Sequence, residues 1–213
     1  MMAMLISYRG EMQMPTPEKT SRAAIVAAGR EIIERGGPEG HGGLDGLTMQ
    51  AVAERAGVRA PSLYKRVRDR RELLALVVAA TLDDLTDRLE ATAAEADPAR
   101  RLVVQADALR GFAHEHPVGF GLVFSAHGAP RPDAAAVVRS VTPLLDAVGA
   151  LTGPEHALEG ARLVTAWANG FLTMELGGMF GLGGDVDRAW RWGLERMVAA
   201  LRTPGADAEF STE

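Results

Sequence analysis

The chain has 213 residues, 47% of them hydrophobic, with a formal net charge of −5 and no cysteine. That length holds one large domain or two small ones, with enough apolar residues for a sizeable core. A mean hydropathy near zero argues against a mainly disordered or membrane chain, and the lack of cysteine excludes disulfides, thiol nucleophiles and cysteine metal sites.

Residues 1–17 are expected to be a disordered tail crowded with methionine (Met1, Met2, Met4, Met12, Met14). Its opening MMAMLIS is too short and lacks the basic lead-in of a secretory signal. From Glu18 to Arg35, Ile25, Ala28, Ile32 and Ile33 recur at helical spacing, and Gly36-Gly37-Pro38 ends the run. The glycine-rich stretch from Gly36 to Gly46 is expected to be a loop, with His41 exposed in it.

The next segment is the most informative. Thr48 is placed to cap a short helix through Met49, Val52, Ala53 and Ala56, because its hydroxyl can accept a hydrogen bond from a free backbone N–H. Gly57 suits the left-handed conformation that closes a helix. Val58 follows as an apolar peg, and Pro61 sits in the first turn of a second helix, where a missing N–H costs nothing. Small Ala53 permits a steep crossing over a short turn. Val52, Val58 and Leu63 then face inward, while Arg59, Ser62, Lys65 and Arg66 face out, as in a helix entering a major groove.

Asp69 can cap a long helix to about Ala96, striped by Leu74, Val78, Leu82, Leu85 and Leu89. Asp97-Pro98 starts another, to about Glu115. His116-Pro117 opens a short one, Gly128–Pro132 is a loop, and Asp133 to Leu151 is helical. After Thr152-Gly153-Pro154 a long helix runs to about Leu176. Asp185 can cap the last, with Val186, Trp190, Leu194, Met197 and Leu201 on one face. No strand or repeat is evident, and no apolar run of roughly 18 residues is uninterrupted, so no bilayer span is expected.

Charge is divided unevenly. Residues 18–72 carry 11 basic and 8 acidic groups, and residues 73–213 carry 11 and 19. Arg59 to Arg71 hold six basic groups and one acid, Asp69. Basic charge concentrated on a helix-turn-helix is the footprint of DNA contact, and the acidic remainder confines that contact to one end.

The tract LTMQAVAERAGVRAPSLYKRVRDRRELL, after its amphipathic first helix, resembles the DNA-binding domain of the tetracycline-repressor (TetR) family over residues 18–74. The segment AWANGFLTMELGGMFGLGGDVDRAW is similar to one C-terminal class of that family, marked by tryptophan, then His-Gly, then a helical run ending in glycines. Here Asn169 precedes Gly170 where that class has histidine. The resemblance implies an all-helical homodimer whose two final helices per subunit meet in a four-helix interface. Two recognition helices would then reach successive major grooves of a palindromic operator, about 34 Å apart or somewhat more.

By matched position, the resemblance implies phosphate contacts from Thr48, Tyr64, Arg66 and Arg70. Packing of the ring against the first helix is the other reading of Tyr64. Arg59, Ser62 and Lys65 are the candidates for base edges, since a cation reads guanine O6 and N7 and a hydroxyl serves several bases. Ala60 and Pro61 are placed for apolar contact with a thymine methyl. An effector pocket between core helices has Phe112, His116, Phe120, Phe124, Trp167, Phe171 and Met174 as candidate lining residues, each of which also reads as plain core, and Glu175, which also reads as dimer seam or solvent-facing. The helix from Asp69 to Ala96 would be the lever joining effector and DNA sites.

The expected architecture is therefore all-α with about nine helices. It comprises a helix-turn-helix domain (18–72), a ligand-binding and dimerisation domain (73–203) and a loose tail (204–213). The function expected is that of a cytoplasmic, effector-released transcriptional repressor with double-stranded DNA, a small molecule and a second copy of itself as partners. No catalytic residue, metal ligand, cofactor or membrane partner is expected. His114 and His116, two apart on a helix, point to different faces and lack a third ligand. An all-helical enzyme or small-molecule binder is the alternative, but no paired-carboxylate, nucleophile-elbow, phosphate-loop or zinc motif supports it. An architectural DNA-binding protein is a third reading, which leaves the acidic helical body unexplained.

Overall fold

The computed structural model describes residues 21–35, 43–124 and 130–202. Among these residues all regular structure is helical. The helices are α1 (Arg22–Arg35), α2 (Gly43–Gly46), α3 (Met49–Arg55), α4 (Ala60–Tyr64), α5 (Arg70–Ala91), α6 (Pro98–Glu115), α7 (Pro117–Phe124), α8 (Ala134–Thr152), α9 (Ala157–Leu176) and α10 (Val186–Arg202). The expected tails, His41 and the first two residues of the expected loop Gly128–Pro132 lie outside the described residues.

Side-chain caps fix where the helices begin. Thr48 Oγ1 accepts from Ala51 N at 3.1 Å, Asp69 Oδ1 from Glu72 N at 2.8 Å, and Asp97 Oδ1 from Arg100 N at 2.9 Å. Asp133 and Asp185 do the same for Ala136 N and Arg188 N. Each satisfies one of the free N–H groups of a first turn, worth about 1 kcal/mol. Gly57, at φ +65°, closes α3 in the left-handed region, as its position predicts.

Two boundaries depart from expectation. Helix α2 is a single turn inside the segment expected to be loop, and it brings the count of α-helices among the described residues to ten. Its four residues are too few to show a helical period. Tertiary bonds brace it, with Arg70 donating from Nη2 to Leu44 O (2.5 Å) and from Nε to Leu47 O (2.7 Å). Helix α5 ends at Ala91, not near Ala96, because Thr92–Ala94 tighten into a 3-10 turn.

Three apolar clusters hold the molecule. The first joins Ile25, Ile32 and Ile33 of α1 to Val52, Leu63, Val67 and the Leu73–Val78 part of α5. The second gathers Leu85, Phe112, Phe120, Leu172, Trp190 and Leu194, and the third Leu102, Val148, Val164 and Leu201. The first core therefore runs past residue 72 and includes Leu122 of α7.

Helix α7 ties the clusters together. Leu122 packs in the first and Phe120 in the second. Glu34 of α1 supplies the acceptors for its N-terminus, taking Gly119 N at 2.7 Å and Val118 N at 3.1 Å. The carboxylate also sits at the positive end of the helix dipole. Gly119 allows this approach, since an added Cβ would stand 2.9 Å from Glu34 Oε1 and 3.0 Å from Thr81 Cγ2.

Helix α8 is long and apolar enough, by length and composition, to cross a membrane. It packs on α5, α6 and α9, and its Arg139 pairs with Asp83, Asp87 and Glu90 of α5.

Replacing Glu34 with alanine strands two N–H groups at the start of α7. Urea denaturation of Glu34→Ala is expected to show a loss of about 1–2 kcal/mol, with Glu34→Gln recovering part of it through its amide oxygen.

Candidate nucleic-acid interface and effector region

Helix α4 has only five residues and cannot hold its shape alone. Leu63 and Val67, both fully buried, pin it and the following turn to the first core. Ala53, buried at the crossing, lets Val58 N reach Ala53 O at 2.9 Å. With that face consumed, Thr48, Arg59, Ala60, Pro61, Tyr64, Lys65, Arg66 and Arg70 are exposed, and Ser62 is half-buried. Tyr64 is 53% exposed, so its ring is not taken up by packing.

The cations around α4 differ in how they are used. Glu72 accepts from Arg68 N (2.8 Å) and Arg68 Nε (3.0 Å), and from Arg22 Nη2 (2.6 Å). The hydrogen bonds from Arg68, backbone first, hold the Glu72 carboxyl below its ordinary range. Among the described residues no ion pair is formed by Arg59, Lys65 or Arg71. Arg70 spends two of its five N–H donors on α2 and the start of α3. Sequence reasoning did not reach this bracing, because its acceptors are backbone carbonyls 23 and 26 residues away.

The aromatic residues singled out in the helical body fall in two places. Phe112 and Phe120 are buried in the second core, with His116 5.0 Å from the Phe112 ring and Phe124 4.7 Å from that of Phe120. Trp167 stacks on Trp190 at 4.9 Å, and Phe171 meets Trp190 edge-on at 5.1 Å. Trp167 and Phe171 line an open groove of about 610 Å³ with Phe180, Trp192 and Gly193. Met174 is 42% exposed.

Glu175 lies in an ion network. Arg110 donates to it from Nε at 3.0 Å and Nη2 at 2.5 Å, and also from Nη2 to Asp187 at 2.6 Å. His114 Nε2 stands 3.3 Å from the same carboxylate, while His116 faces Asp84 and Glu115 at 4.0 Å. Arg110 covers the Trp190 ring at 5.5 Å, and Trp190 Nε1 donates to Asp107 at 2.8 Å. The hydrogen bonds from Arg110 lower the Glu175 pKa against the opposing effect of burial, and Arg110 is itself pushed up, first by its bond to Glu175. Arg110 thus fastens α6 to α9 and α10, a role that one charged residue on α6 does not advertise in sequence.

A separate void lies deeper, among α5, α6, α8 and α9, and holds about 50 Å³. None of the eight residues proposed from sequence lines it. Gln105 does, and it is buried. The sequence signal was a lone amide among Leu102, Ala106 and Leu109 on the inward face of α6.

A helix-turn-helix with an exposed basic face, carried on an all-helical body, defines a DNA-binding transcriptional regulator. Residues 25–77 match the model of bacterial regulatory proteins of the tetR family, and residues 102–197 match the tetracyclin repressor-like C-terminal domain. The chain belongs to the TetR family of transcriptional regulators. An uncharacterized HTH-type transcriptional regulator of Mycobacterium tuberculosis is 28% identical over 166 residues, covering 76% of this chain and 73% of that protein. The HTH-type transcriptional activator FasR of Mycolicibacterium smegmatis is 27% identical over 152 residues, 70% of this chain and 66% of the relative. In fold, the chain is similar to a protein of unknown function from Rhodococcus sp. RHA1, with TM-score 0.73, 24% identity and coverage of 91% and 100%. It is also similar to a TetR variant from Acinetobacter baumannii AYE in complex with minocycline, with TM-score 0.60, 23% identity and coverage of 86% and 98%.

A carboxyl whose folded pKa is depressed stabilises the protein above its unfolded pKa, and the gain is lost as pH falls through the folded value. Glu175→Gln is therefore expected to cost about 1–2 kcal/mol at neutral pH. The gap to the parent protein should narrow as pH falls below the ordinary glutamate range and close beneath the depressed folded value, as followed by urea melts across pH.

Proposed function

We propose that the chain is a dimeric repressor that binds a palindromic operator through α4 and releases it when a small molecule occupies the helical body. The observation that carries this reading is the exposure of Arg59, Lys65 and Arg66 on a helix whose opposite face is buried. Arg59, Ser62 and Lys65 read base edges, Ala60 and Pro61 touch a thymine methyl, and Thr48, Tyr64, Arg66 and Arg70 hold phosphates. The Thr48 hydroxyl caps α3 as an acceptor and keeps its own hydrogen for a phosphate oxygen. Arg70 has further N–H donors beyond the two given to α2 and α3.

Residues 18–72 form the reading unit and residues 73–203 the sensing and dimerising unit, in a cytoplasmic protein that binds its ligand without converting it. Exposed apolar side chains on the last two helices, Leu158, Leu163, Met174 and Trp192, support a second copy as the partner there. Of these side chains, Trp192 also lines the groove shared with Trp167 and Phe171. The minocycline complex of the Acinetobacter protein supports a small-molecule effector. FasR is named an activator, so transcription from the operator-bearing promoter, with and without the protein, decides the sign.

Gel shifts with the DNA flanking the gene test the reading. Binding should be sequence-specific and weaken with salt. Lys65→Ala and Arg59→Ala are expected to relax base preference at a cost of about 1–3 kcal/mol, whereas Arg70→Ala should weaken all sequences alike. Equal affinity for random DNA overturns the proposal. Trp192→Glu is expected to convert the dimer to monomer in light scattering and to lower operator affinity with it.

A further inference from the structure

The 50 Å³ void in the helical body has one unusual wall. Leu89 of α5, Leu109 of α6, Leu144 of α8 and Val164 of α9 make it apolar, and no charged side chain is among the residues lining it. Gln105 is only 4% exposed, and among the described residues its Oε1 has no hydrogen-bond partner. Its Nε2 donates to Pro143 O at 2.9 Å. That bond fixes the amide, because a flipped carboxamide would set oxygen against oxygen. A buried carbonyl left without a donor is costly, and a native fold keeps one mainly where something else supplies the donor.

A buried water needs about two to four polar partners, and among the lining residues only Gln105 and Thr165 have polar side chains, the lower limit of that range. An apolar body with one donor matches the walls better. We infer that the void is the specificity centre for the effector, and that the effector is an uncharged, mainly apolar molecule whose single hydroxyl or N–H donates to Gln105 Oε1. This rests on the effector-binding reading above. A ring needs about 150 Å³, more than the void offers, so a ring-sized ligand acts as a wedge that separates α5, α6, α8 and α9. It binds the separated state more tightly and shifts the population toward it. Helix α5 starts at Arg70, the residue that braces α2 and α3, so its displacement reaches the DNA-binding end.

Calorimetry on the full-length protein with phenol, toluene and benzoate tests the inference. Phenol should bind about tenfold or more tighter than toluene, which lacks the donor, and benzoate should not bind. In Gln105→Leu the preference for phenol over toluene should vanish while toluene affinity stays. Leu144→Phe, which fills the void from α8, should abolish phenol binding. The inference is overturned if the parent protein binds phenol no tighter than toluene, if benzoate competes equally, if none of the three binds, or if Gln105→Leu keeps the preference. The comparison of probes on the parent protein decides the matter even if a variant does not fold. Gel shifts without any probe report the regulator reading separately. Specific DNA binding without a phenol preference sinks this inference alone, and a phenol preference without specific DNA binding sinks the regulator reading alone.

Discussion

Burial of Leu63 and Val67 in the first core orients everything at the DNA-binding end. Helix α4 is too short to be stable in isolation, and its cations have no intrinsic direction. The first core consumes one side of the segment, and the remaining side must carry Arg59, Lys65 and Arg66 into solvent. The same core includes the first turns of α5, so the recognition segment and the long helix behind it move as one packed unit. Arg70 reinforces that union by reaching back to the carbonyls of Leu44 and Leu47.

The two ends of the molecule communicate through few elements. Helix α5 contributes to the first core with Leu73–Val78 and to the second with Leu85. Helix α7 does the same over a much shorter span, with its N-terminus held by Glu34 of α1. Close packing resists gradual deformation. Helices α5 and α7 are packed against α1 and the helix-turn-helix as well as against the helical body. Arg110 plays the complementary part on the other side, locking α6 to α9 and α10 through Glu175 and Asp187. The stacked Trp167 and Trp190 rings add to that lock, and Gly193 leaves room for Trp167.

Much of this was legible in the residues. The caps at Thr48, Asp69 and Asp185, the boundary at Asp97-Pro98, the breaks at Gly57 and Gly153, and the apolar stripes of α5 and α10 act over three or four residues, which is the range a local pattern can report. The exposure of the α4 cations followed from the same periodicity. The one-turn α2 was missed because its support comes from Arg70, far along the chain. The aromatic residues named for the effector region spread over the second core and an open groove, since hydrophobic character does not distinguish a filled core position from a cavity wall.

Sequence alone determined the helical class, the helix-turn-helix and the identity of its outward cations, because each depends on short-range bonding and on which side chains avoid water. Tertiary structure alone decided that Glu34 caps a helix more than 80 residues away, that Glu175 answers Arg110, and that Gln105 keeps an unpaired carbonyl beside a void. These depend on which distant helices pack together and how completely they fill the space between them, a quantity no local pattern of residues encodes.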